Sequence, residues 1–120
     1  MIKSVGHFLL GIIFVSGGSN TFLNPDGRAE KVATAGIPNP RAATIVNGAV
    51  MTVGGTLLSL NLLPKLAALA LLGTLIPTTL VGHPFWKEET PAARANQRTQ
   101  FLKNLAMIGG LLLVLVEKKD

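Results

Sequence analysis

The sequence predicts an all-α protein: a four-helix transmembrane bundle with interfacial amphipathic segments between helices one and two and between helices three and four. Three observations predict it. Hydrophobic residues make up 48% of the 120 positions and charged residues only 14%, against roughly 25% in an ordinary soluble domain. The charge is also clustered, because residues 5–23, 42–64, 66–82 and 105–116 hold no Lys, Arg, Asp or Glu. Apolar runs of about 18 residues have the length needed to cross a bilayer. Four of them leave little else in a chain read as a single transmembrane domain over 1–120.

The first span is expected at about residues 5–22, with Ser16, Ser19 and Asn20 in its second half. Lys3, the apolar run 8–15 and Ser16-Gly17-Gly18 also have the outline of a signal peptide, but the segment is read as a span. Asn24-Pro25-Asp26-Gly27 ends it with a strong turn signal. Residues 28–36 alternate small apolar and charged side chains, as an interfacial amphipathic stretch does, and "GIPNP" then breaks the helix.

The second span, about residues 41–62, carries Gly48, Thr52, Gly55 and Ser59 on one helical face. Small residues let backbones approach where lipid supplies no hydrophobic drive, so this stripe is a packing surface. On that reading Gly55→Leu is disruptive and Gly55→Ala mild by comparison. Residues 61–64 form a hairpin turn too short for anything else. The third span, 65–82, contains Pro77, which predicts a kink near Gly73. Thr90-Pro91 reads as an N-cap followed by proline at the first helical position. From there one helix of about 26 residues, roughly 39 Å long, runs to Val116 with a polar first third.

Residues 81–110 therefore form a polar cassette at one end of the bundle, and four spans place both termini on the opposite side. Lys and Arg number seven on the cassette side (Arg28, Lys31, Arg41, Lys87, Arg94, Arg98, Lys103) and four on the other (Lys3, Lys65, Lys118, Lys119). The bias favours a cell-membrane, multi-pass protein with a cytoplasmic cassette. The net charge of +5 is that of headgroup anchors, and no nucleic-acid partner is expected. With no cysteine the chain has no disulfide, no thiolate chemistry and no Cys-ligated metal.

Catalytic groups are not evident. No acid lies inside a span, Ser and Thr have no base beside them, and no metal ligand set is assigned. His7 and His83 fall at opposite membrane faces, about 24 Å apart, so they cannot ligate one haem iron. Asn20, Asn47, His83 and Asn104 all fall near the cassette end and could converge as a polar cluster. Such a cluster either caps helix ends or holds a ligand, and polar groups at membrane depth are costly enough to invite the second reading. Phe85, Trp86, Lys87, Arg94 and Arg98 are candidate partner-binding residues, because aromatic and Arg side chains commonly anchor interfaces.

Taken together, "GIIFVSGGSNTFLNPDG", "AGIPNP" and "GHPFWKEETPAARANQRTQFLKNLAMIGGLLLV" resemble the DoxX family of small four-helix bacterial membrane proteins, over nearly the whole chain. Its motif positions fall here on His83, Pro84, Phe85, Trp86, Asn96, Gln97, Phe101, Lys103 and Asn104, none with a transferable catalytic role. Thr21 stands where family members often carry a basic residue. The resemblance implies an integral subunit or anchor of a redox or bioenergetic membrane complex, non-catalytic by itself. It would contact lipid and other membrane subunits or a second copy. The alternative is a quinone- or small-molecule-binding component using the cluster near His83. No other cofactor is expected.

Overall fold

The computed structural model of the chain describes residues 1–83 and 85–118; Pro84, Lys119 and Asp120 lie outside the described residues. The fold is all-helical: α1 (Ile2–Leu23), α2 (Asp26–Thr34), α3 (Pro40–Ser59), α4 (Pro64–Gly82), a short 3₁₀ turn (Phe85–Lys87) and α5 (Pro91–Val116). Among the described residues, α1, α3, α4 and α5 are long and apolar enough to cross a membrane. The protein is an integral membrane protein.

The boundaries follow local chemistry. Proline stands at the first turn of α3, α4 and α5, where its missing N–H leaves no bond unmade. At α5 the Thr90 hydroxyl accepts from the Ala93 N–H at 3.1 Å, a side-chain N-cap. Helix α3 ends at Ser59, short of the expected residue 62, because the hairpin needs left-handed backbone at Asn61 (φ 57) and Leu63 (φ 46). Asn adopts that conformation readily, and Leu only under strain. The Leu62 N–H bonded to Leu57 O at 2.8 Å holds the turn against that strain. Helix α4 carries Pro77 inside it and runs on to Gly82.

Helices α1 and α3 pack backbone to backbone, because glycines of each enter the other. A Cβ on Gly55 would lie 2.8 Å from Gly11 O and 2.9 Å from Phe14 Cβ. One on Gly18 would lie 2.7 Å from Thr52 N, and one on Gly48 would lie 2.8 Å from Phe22 N. The Gly48–Thr52–Gly55–Ser59 stripe thus faces α1 and interlocks with Gly11 and Gly18. Gly55→Ala is therefore costly in its own right, since the added methyl meets backbone atoms that cannot swing aside.

Phe14, Leu58, Leu71, Leu75 and Leu111 fill the centre completely buried. Leu9, Val53, Leu69 and Leu113 stand on the outside, more than half exposed. That inversion suits a bundle solvated by acyl chains, where an outward Leu needs no cover.

Candidate ligand cavity

Helices α1 and α5 form a wedge. At the end holding the chain termini they touch: a Cβ on Gly110 would lie 3.4 Å from the Leu10 methyls, and His7 of α1 meets Glu117 just past α5. Towards the cassette they face each other across a cavity of about 560 Å³. That is a volume typical of small-molecule sites. Phe14, Met51, Leu75 and Met107 give it an apolar floor. Thr21, Asn47, Thr78 and Asn104 form its polar walls, and Arg28, Lys31, His83 and Lys103 its rim.

Three of the four residues expected to cluster are brought together here: Asn47, His83 and Asn104. Asn20 is not. It is exposed on α1, where its Oδ1 accepts from Asn24 Nδ2 at 3.4 Å. Helical phase explains the difference, since Gly17 and Thr21, one turn apart, point inward and turn Asn20 away. Thr21 returns its hydroxyl to Gly17 O at 2.8 Å.

The amides are held by a pair of threonines behind Pro77. Asn47 Nδ2 donates to Thr78 Oγ1 at 2.9 Å, and Asn104 Nδ2 donates to Thr79 Oγ1 at 3.1 Å. Each threonine spends its own hydrogen on its helix, Thr78 on Thr74 O and Thr79 on Leu75 O, both at 2.7 Å. A hydroxyl has one hydrogen, so both Oγ1 atoms can only accept from the amides. This fixes the amide orientation. His83 lies with Nδ1 2.8 Å from Gln97 Oε1; an amide oxygen there needs the ring hydrogen on Nδ1, leaving Nε2 an acceptor in neutral imidazole.

The rim is cationic. Lys31, Lys103 and Arg28 are near enough for their charges to act on the His83 ring. Lys31 Nζ also donates to Gly82 O at 3.0 Å, satisfying a carbonyl at the end of α4. Among the described residues lining the cavity there is no Asp or Glu. Sequence reasoning treated Arg28, Lys31 and Lys103 as headgroup anchors. Only the approach of α2 and α5 to the end of α4 gathers them, though the adjacent pair Thr78-Thr79 was a legible clue to amide partners.

The partner-binding candidates sit beside this rim, except that Pro84, within the same motif, lies outside the described residues. Phe85, Trp86 and Phe101 pack edge to face with centroids 5.2, 5.3 and 5.8 Å apart. Trp86 remains half exposed. Arg94 Nη2 donates to Glu88 O at 3.1 Å and so holds the loop, whereas Lys87 and Arg98 are exposed.

Comparison with known proteins agrees with this architecture. The DoxX family model matches residues 4–84, from the first turn of α1 to just beyond α4. The inner membrane protein YphA of Escherichia coli (strain K12) is 25% identical over 112 residues, covering 93% of this chain and 79% of that protein. No solved structure matches the chain.

Proposed function

The chain belongs to the DoxX family, and from that premise we propose that it is a non-catalytic integral subunit of a membrane redox assembly, in which its cavity holds the head of an amphiphilic ring compound such as a quinone. The carrying observation is the cavity itself, with an apolar floor, fixed amides and a cationic rim. The half-exposed Trp86 with Lys87 and Arg98 supports the second part of the reading, a docking face for another subunit beside the cavity mouth. The chain acts as one domain, with its termini together on one side of the cell membrane. The seven-to-four basic bias supports a cytoplasmic cassette.

The single tryptophan offers a direct test. Titrating menadione into the purified protein should quench Trp86 fluorescence to saturation, and Asn104→Leu or His83→Ala should abolish saturation. Linear quenching identical in all three proteins would remove the ring-ligand reading. Co-purification tests the assembly half: Trp86→Ala and Arg98→Glu should lose partners that His83→Ala keeps. Arg94→Glu is a poorer probe, since it also releases Glu88 O.

A further inference from the structure

The hydrogen-bond polarity of the cavity is fixed before any ligand arrives. Because Thr78 and Thr79 give their hydrogens to Thr74 O and Leu75 O, Asn47 and Asn104 must present Nδ2 to them. Their Oδ1 atoms make no hydrogen bond among the described residues. Nor are they sealed from solvent, since no buried side-chain polar atom there lacks a partner. Both residues line the cavity, so its inner wall offers acceptors. His83 adds a third, Nε2, once Nδ1 donates to Gln97. The rim offers the reverse: Arg28, Lys31 and Lys103 are donors with positive charge, brought by α2 and α5 with no acid among the described lining residues to balance them. A quinone is acceptor at both edges: the rim and the second Nδ2 hydrogen of Asn104 can meet it, but it leaves the two Oδ1 atoms without a donor.

We infer that the cavity is built for a hydroxylated aromatic ring taken as an anion: its hydroxyl donates to Asn104 or Asn47 Oδ1, and its ionised oxygen faces Arg28, Lys31 and Lys103. This inference rests on the ring-ligand reading and names the chemical class within it. Turning either amide would leave a threonine oxygen and an amide hydrogen unpaired, so the Oδ1 atoms stay where only a donor ligand satisfies them. Converging like charges repel one another, and an anion relieves that repulsion while gaining charge-assisted bonds.

The test uses four probes on the purified full chain in dodecyl maltoside, with binding measured by equilibrium dialysis. They are a hydroxynaphthoic acid with hydroxyl para to carboxylate, its methyl ether, its methyl ester, and menadione. The hydroxy acid should bind tightest, with the ether (no donor) and the ester (no charge) each about tenfold weaker, the equivalent of one well-made bond. Asn104→Leu should erase the preference over the ether. Lys103→Gln should shrink the preference over the ester, and Lys65→Gln, at the far end of α4, should leave both unchanged. An ether, ester or menadione binding as tightly as the hydroxy acid would overturn the inference while leaving the ring site standing. Preferences that survive Asn104→Leu and Lys103→Gln would overturn it equally. Saturable binding of none of the four would overturn the ring-ligand reading and this inference with it.

Discussion

The His7 Nε2 atom lies 2.7 Å from Glu117 Oε2, joining the first turns of α1 to the residue that ends α5 across 110 positions of chain. His7 Nδ1 lies 2.7 Å from Asn61 Oδ1 in the α3–α4 hairpin, so one imidazole ties three segments. Lys3 Nζ adds a 2.7 Å bond to Lys118 O. These bonds close the apex of the wedge whose open end is the cavity. Because α5 otherwise leans mainly on α4, the clasp sets how far α1 and α5 separate.

Loss of the clasp should therefore loosen α5. His7 is 6% exposed at its side chain and Glu117 25%, so their interaction is only partly screened. His7→Ala should lower stability by about 2 kcal/mol, between the values for an ordinary hydrogen bond and a broken buried pair. Glu117→Gln, which keeps an oxygen facing the ring, should cost about half as much. Thermal unfolding in detergent reads this, and in a double-mutant cycle the two changes should not add. A midpoint unmoved by His7→Ala would mean that the clasp contributes nothing.

The glycine interlock makes a sharper prediction. Gly55→Ala and Gly18→Ala each place a methyl under 3 Å from backbone of the facing helix, and overpacking of that kind costs about 1–3 kcal/mol. Gly109→Ala on α5 meets nothing within 4 Å and should be neutral or slightly stabilising. If the three alanine variants melt alike, α1 and α3 do not approach as described.

Sidedness is checked by cysteine labelling, since the native chain has no cysteine to interfere. Lys118→Cys and Glu89→Cys should react with an impermeant maleimide from opposite faces of sealed vesicles. Asp120, the more distal choice, lies outside the described residues. Equal labelling from one face would overturn the four-span arrangement.

How much of this was legible is clearest at particular residues. Burial in lipid imposes long uncharged runs, and backbone satisfaction imposes helices, so the four spans and the Thr90-Pro91 start of α5 could be read from order and composition alone. The same holds for the Gly48–Ser59 stripe, whose periodicity is a property of one helix. The partner of that stripe was not legible: it is α1, and the Cβ distances at Gly55 depend on how closely two backbones approach. Helical phase likewise decided against Asn20 and for Thr21, because neighbouring residues on one turn face about 100° apart and only packing says which faces in.

By itself, then, the sequence determined what must lie in the membrane and, to within a residue, where α3, α4 and α5 begin, because those depend on local hydropathy and on proline and threonine chemistry. Tertiary structure alone decided that His7 meets Glu117, that Thr78 and Thr79 lock two asparagines, and that Arg28, Lys31 and Lys103 share a rim. Each joins residues far apart in the chain. Pairings of that kind are set by the angle and depth at which helices cross, which no single segment encodes.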